Sequence, residues 1–175
     1  MPQYKRLEKS NRQQYDIAFI GTLHGNRYEK LNSIRSKLSK NKTMFYFYVP
    51  SVLVYIKNKI IKNNYASLNE VSFKPLSFNS TLKVISNSKC LLDINYPGQT
   101  SLSMRAYEAM ASKTKYITNN KEIRKYDFYN PNNIFVLDDN DLDIPLGFFE
   151  TPFEEVPSDV LLKYSVESFV DDIFK

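Results

Sequence analysis

An α/β fold built on a doubly wound parallel sheet of about six strands is what this sequence predicts. Three observations carry the prediction. Apolar runs of four to seven residues alternate with segments of helical periodicity along most of the chain, and that alternation favours a parallel sheet. The runs are almost continuously apolar, as strands covered on both faces are. Gly21, Gly25 and Gly98 fall in the connections after such runs, where a glycine lets the backbone come close to a neighbour or a ligand. A sheet of this kind with helices on both faces is Rossmann-like.

The elements follow in order. Residues 1–15 read as a polar lead-in, and 16–175 as the domain. Asp16 to Gly21 is a short apolar run ending on glycine, a buried-strand signal. The turn residues Gly21 to Asn26 follow. Asn26 is placed to cap a helix over about 27–39, in which Leu31, Ile34 and Leu38 share a face. Thr43 to Val49 is β-branched and aromatic and is stopped by Pro50. Ser51 to Lys62 reads as a helix with a basic face. Val71 to Pro75 is a third strand or extended segment. Ser77 to Ser86 is a helix with Leu82, Val84 and Ile85 inward.

Lys89 to Asn95 is a fourth strand, broken by Pro97-Gly98, and Ser101 to Lys113 is the helix after it. Lys115 to Thr118 is a fifth strand, Lys121 to Tyr126 a helical turn, and Ile134 to Leu137 a sixth strand. The acidic stretch 138–159 reads mostly as a solvated loop. Val160 to Phe174 closes the chain with helical segments.

Composition bounds the function. A chain of 175 residues fits one domain. Hydrophobic residues at 42% and charged residues at 25% support a globular core. No apolar run reaches the ~18 residues of a membrane span. The start, Met1 to Asn11, is polar and charged, unlike a secretory signal. One cysteine and one histidine exclude the common Cys/His zinc sites. Cys90 cannot form an internal disulfide, so a reducing cytoplasm is the expected location, and its apolar run makes it a core residue. Charge is uneven. Residues 1–125 carry 22 Lys and Arg against 7 Asp and Glu, a net +15, and residues 126–175 carry 2 against 12, a net −10. A basic body suits nucleotide phosphates, an anionic membrane leaflet or nucleic acid, or it is simply a lysine-rich surface. No nucleic-acid recognition motif accompanies it, so nucleic acid is not expected as a partner.

Several residues can carry chemistry. Gly21 to Arg27 is neither the G-x-G-x-x-G fingerprint nor a Walker loop. Gly21 and Thr22 shape this loop. Arg27 stands at a helix N-terminus, where it is either an exposed first-turn arginine or a phosphate ligand. His24 is a turn residue at a strand exit. After the fourth strand, Gly98, Gln99, Thr100, Ser101 and Ser103 can offer backbone and hydroxyl donors to a diphosphate. Arg105 and Glu108 stand three apart on the helix. They either pair with each other or divide their work, Arg105 on phosphate and Glu108 on the ribose hydroxyls. Asp139, Asp141, Asp143 and Glu150 imitate a calcium loop, but Ile144 stands where the loop needs glycine.

Four strings together resemble a known family: YDIAFIGTLHGNR at 15–27, LDINYPGQTSLSMRAYE at 92–108, KYITNN at 115–120 and YDFYNPNNI at 126–134. They are similar to the C-terminal half of bacterial capsular or lipopolysaccharide biosynthesis glycosyltransferases, over roughly residues 15–174. The resemblance implies one half of a GT-B fold, the half that binds a nucleotide-diphosphosugar donor. It implies no bound metal and no other cofactor. Glu108 takes the place of the family's ribose-binding glutamate. The preceding glutamate of the family's Glu-x7-Glu motif is Thr100 here. Arg27, and less closely Lys74, match the family's diphosphate-holding basic residues. The length leaves room for one of the two GT-B domains. A second domain is therefore expected to bind the acceptor, a glycan or lipid-linked sugar, and to carry any general base. No residue of this chain is assigned as catalytic, and this half alone is expected to transfer sugar poorly. The enzyme would work in the cytoplasm or at the inner face of the plasma membrane, where Lys57, Lys59 and Lys62 are candidate contacts. The alternative reading is a non-catalytic nucleotide-binding or protein-interaction domain with a degenerate site.

Overall fold

The computed structural model describes residues 13–62, 64–96, 98–165, 168 and 170. Of the expected lead-in, residues 1–12 lie outside the described residues, and Tyr15 already belongs to the first strand.

Six strands form one wholly parallel sheet: β1 (Tyr15–Thr22), β2 (Thr43–Tyr48), β3 (Val71–Ser72), β4 (Ser88–Asp93), β5 (Lys115–Thr118) and β6 (Ile134–Val136). Their spatial order is β3-β2-β1-β4-β5-β6. The described helices are α1 (Arg27–Lys37), α2 (Val52–Ile61), α3 (Phe78–Ser86), α4 (Met104–Ala111) and α5 (Ser158–Lys163). The chain builds outward from β1 to β3 and then returns to place β4 on the other side of β1. The order reverses between β1 and β4, and in open α/β sheets that reversal leaves a crevice at the carboxyl ends of the strands. Among the described residues no helix is long and apolar enough to cross a membrane.

The period of two along each strand divides the core. Ile17 and Phe19 of β1, Cys90 and Leu92 of β4 and Ile117 of β5 join one cluster with Leu31 and Ile34 of α1. Ala18, Leu91 and Tyr116 face the other, with Ile85 of α3 and Ala106, Ala109 and Met110 of α4. Cys90 is fully buried, as its apolar run predicts.

Four elements differ from expectation. Asn26 makes no side-chain cap, because its backbone (φ −95°, ψ 16°) is not in the extended conformation that aims a capping side chain. The third strand is only two residues long: the Lys74 N–H turns back onto Ser72 Oγ at 3.1 Å, and Pro75 offers no donor to extend the ladder. Of the inward trio in α3, only Ile85 is fully buried, while Thr81 takes a buried place. The final helix begins at Ser158, ahead of Val160. Of its expected continuation, residues 166, 167, 169 and 171–175 lie outside the described residues.

The acidic stretch is more than a solvated loop. A 3-10 turn at Leu146–Phe149 buries Phe148 and Phe149, and Ile144 joins them in the first cluster. Lys115 ties this segment to the sheet. Its ammonium is buried, donates to the Phe148 carbonyl at 2.9 Å and to Thr151 Oγ1, and lies 4.6 Å from the Phe148 ring centroid. A buried cation needs such partners. The acidic residues also meet the basic body, through Asp139 with Lys30 at 2.6 Å, Asp143 with Lys37 at 2.6 Å and Glu155 with Lys113 at 2.5 Å.

A second polar node anchors the edge of the sheet. The Glu70 carboxylate accepts from Arg35 at 2.7 Å, Tyr28 at 3.0 Å, and the hydroxyl and N–H of Ser67 at 2.7 and 3.0 Å. Burial opposes its ionisation, but these donors overcome it and hold the carboxyl at about 2. Its folded pKa is depressed, so its stabilisation is complete above the ordinary carboxyl pKa and is lost as the pH falls toward 2. Glu70→Gln is expected to cost about 1–2 kcal/mol at neutral pH after solvent screening, and to flatten the loss of stability between pH 4.5 and 2. Urea titrations across that range check this.

Candidate functional site at the sheet crossover

The site begins with a carboxylate at the end of an apolar strand. Asp93 is the last residue of β4 and is buried. Its Oδ2 accepts from the Tyr116 hydroxyl at 2.9 Å and from the Ser103 hydroxyl. These bonds join β4 to β5 and to the start of α4. Burial, and then the Asp93 charge, push the Tyr116 hydroxyl pKa well above its ordinary value, so Tyr116 remains a donor.

Arg27, on the neighbouring β1–α1 connection, is turned inward. Its Nη1 donates to the Thr22 carbonyl at 2.9 Å, and its guanidinium carbon lies 5.8 Å from the Phe19 ring centroid. Burial works against its charge, and Asp93 works in its favour. Gly21 has a packing reason here: a Cβ at this position would stand 2.8 Å from the tip of the Phe19 ring and 3.5 Å from Arg27 Nη1. His24 lies against Tyr96, with ring centroids 5.2 Å apart. Burial and then Arg27 lower the His24 pKa.

Beside this cluster, Asn95, Tyr96, Gly98, Gln99, Asn119 and Asn120 line a cleft of about 220 Å³. Gly98 holds φ +81°, a conformation that favours glycine. The Asn95 N–H donates to Asn119 Oδ1 at 2.8 Å, and Asn120 donates to the Ser101 carbonyl at 3.1 Å. Among the described residues, two buried side-chain donor atoms have no hydrogen-bond partner, Asn95 Nδ2 and Arg27 Nε. A buried donor left unpaired costs about 1–3 kcal/mol. Both belong to the connections that follow β1 and β4, the strands at which the order reverses.

The structure thus brings Gly21, Thr22, Arg27, Gly98 and Gln99 to one end of the sheet. Ser103 is there too, but its hydroxyl is turned onto Asp93. Thr100 and Ser101 are exposed on the rim. Arg105 and Glu108 form an ion pair, and the Glu108 side chain is largely buried, so the pair is not on a solvated face. Lys74 is set apart. It follows β3, three strand spacings (roughly 14 Å) from β4. The sequence reading singled out none of Asp93, Asn95 and Tyr116, and it placed Tyr96, Asn119 and Asn120 at strand ends without assigning them a role. The available signal was a carboxylate closing an apolar strand, because a buried charge needs arranged partners.

Among the described residues, no group of three or more His, Cys, Asp or Glu is placed to hold a metal. Asp139 and Asp143 of the calcium-like stretch are instead paired with Lys30 and Lys37.

Two outcomes test this geometry. Tyr116→Phe is expected to lower stability by about 1–3 kcal/mol, because the Asp93 carboxylate loses a buried donor; urea denaturation measures it. His24 is the chain's one histidine, and its folded pKa is depressed. The unfolded chain therefore takes up the proton first, and stability falls as the pH drops below 6.5. Melting curves of His24→Gln between pH 7 and 5 are expected to show a weaker dependence than those of the parent chain.

No family model matches the chain, and no curated protein matches it significantly in sequence. Solved structures do match. The apo form of the lipopolysaccharide outer core galactosyltransferase WaaB aligns with a TM-score of 0.50 at 11% identity, over 96% of this chain and 51% of that one. The catalytic domain of Starch Synthase IV from Arabidopsis thaliana, bound to ADP and acarbose, aligns with a TM-score of 0.39 at 13% identity, over 98% of this chain and 34% of that one. These neighbours are GT-B glycosyltransferases. The fold is a Rossmann-like α/β architecture that matches the WaaB structure, and the chain spans about half the length of that structure.

Proposed function

We propose that this chain is the nucleotide-sugar-binding half of a GT-B glycosyltransferase, serving assembly of a bacterial surface polysaccharide such as capsule or lipopolysaccharide. The observation that carries the reading is the pair of buried unpartnered donors, Arg27 Nε and Asn95 Nδ2, at the point where the strand order reverses. That crevice is the general ligand position of doubly wound sheets.

In this reading the donor's diphosphate lies across the β1–α1 and β4–α4 connections. Arg27 supplies positive charge there. Gly98, Gln99, Thr100 and Ser101 supply the close backbone of the second connection. A departing diphosphate gains negative charge in the transition state, and a fixed cation stabilises it. The Asp93 carboxylate favours the charged form of the Arg27 guanidinium, and the Thr22 carbonyl orients it. Asn95, Asn119 and Asn120 supply neutral hydrogen-bonding groups along the cleft. Glu108 reaches the ribose by exchanging its bond to Arg105, which frees Arg105 for phosphate. Lys74 supports binding from a distance, through the field alone. No bound metal or other cofactor is needed for these roles. The cleft of about 220 Å³ is smaller than the usual small-molecule site of about 300–1,000 Å³. It forms one wall of a site whose acceptor side and general base come from a facing domain.

The Arg105–Glu108 ion pair favours a second reading, a non-catalytic domain whose ribose contact has been lost. Thermal shifts with UDP, GDP, CDP and ADP distinguish the two. One diphosphate is expected to raise the melting temperature, because a ligand at a hundred times its Kd adds about 2.7 kcal/mol. Asn95→Ala and Glu108→Ala are each expected to abolish that gain. No shift with any of the four at millimolar concentration supports the second reading.

A further inference from the structure

The β1–α1 connection carries, besides Arg27, the chain's one histidine. The His24 ring is half-buried and lies 5.2 Å from the ring of Tyr96, centroid to centroid. Tyr96 lines the crossover cleft. Among the described residues no hydrogen bond engages the His24 ring nitrogens, so both are available to a ligand.

The groups around this ring come from four places. Arg27 lies on the same connection, Asp93 at the end of β4, Tyr96 just beyond it, and Lys62 just after α2. Lys62 is held there by donating to the Gly25 carbonyl. Two of the three charged neighbours are cations. Burial and then Arg27 favour the neutral imidazole, Asp93 opposes them, and Lys62 adds to them. One further anion beside the ring would reverse this balance, because an opposite charge within about 4–6 Å moves a pKa by about 1–3 pH units. A protonated histidine then has a donor on each ring nitrogen.

We infer that His24 is a further ligand of the diphosphate, taking up a proton from solvent as the nucleotide binds and donating to a phosphate oxygen. The inference rests on the reading that a nucleoside diphosphate group occupies the crossover. It adds a second cation to Arg27 on the β1–α1 connection, one that is charged when the diphosphate is present. Tyr96 fixes the plane of the ring on the side of the cleft. Linkage is reciprocal, so the protonated chain binds the diphosphate more tightly than the neutral one.

The test uses the single histidine as its own probe, since its imidazole protons give one set of signals in the NMR spectrum. The His24 pKa is measured in the free chain and in the chain saturated with whichever of UDP, GDP, CDP and ADP raises the melting temperature. It is expected to rise by at least about one pH unit, a tenfold preference for the protonated form. The matching nucleoside, which lacks phosphate, is expected to leave it unchanged. Calorimetric affinities at pH 8 and 5.5 give the second readout. The terminal phosphate of the ligand itself titrates near 6, so the parent is compared with His24→Gln rather than read alone. Over that drop in pH the parent's affinity is expected to gain at least about threefold on that of His24→Gln. His24→Lys, charged at both pH values, is expected to bind more tightly than His24→Gln at pH 8 and to share its pH dependence. Binding that leaves the His24 pKa unchanged overturns the inference and spares the nucleotide reading, as does a nucleoside that shifts it equally. Binding of none of the four diphosphates overturns both.

Discussion

A carboxylate buried at the carboxyl end of the sheet must be given hydrogen-bond donors, and the arrangement that satisfies Asp93 organises this end of the molecule. Ser103 is drawn to it, which fixes where α4 begins. Tyr116 is drawn to it from β5, across the interior of the second cluster. Its carboxylate favours the charged form of the Arg27 guanidinium at the start of α1. Three connections that are remote in sequence are thereby held in one geometry. Among the described residues, two donors at this end of the sheet, Arg27 Nε and Asn95 Nδ2, are buried without a hydrogen-bond partner.

The rest of the chain is stabilised in a similar way, by polar groups that close an apolar framework. Lys115 is buried near the start of β5 and is satisfied by the carbonyl of Phe148 and the hydroxyl of Thr151. The segment carrying those acceptors is held down, and Phe148 and Phe149 complete the core beneath it. Lys30 and Lys37 of α1 hold Asp139 and Asp143 of the same segment. The opposite charges of the two parts of the chain therefore meet inside one domain. Individually such exposed pairs are worth little. Collectively they orient a long segment whose anchor is hydrophobic.

Two surfaces meet near the β1–α1 connection. One is the polar crevice between β1 and β4. The other is the apolar outer face of α2, whose last turn reaches Gly25 through Lys62.

Composition and periodicity alone determined the parallel α/β class, five of the six strands to within about two residues at each end, and the burial of Cys90. These features depend on neighbours close in sequence, so local pattern suffices. The same pattern placed Gly21, Arg27, Gly98 and Gln99 at strand exits, where the structure finds them. Only the tertiary structure decided the strand order, and with it the meeting of Asp93, Asn95, Arg27 and Tyr116. It also decided the burial of the Arg105–Glu108 pair, the remoteness of Lys74 and the anchoring of the acidic stretch by Phe148 and Phe149. The physical reason is the partner. Whether a charge is exposed, paired or buried depends on groups brought together from distant parts of the chain, and periodicity does not encode those encounters. The outward apolar face of α2 is the converse case. The sequence reads it as a helix with a basic face, and only the tertiary structure shows that Leu53, Ile60 and Ile61 are exposed.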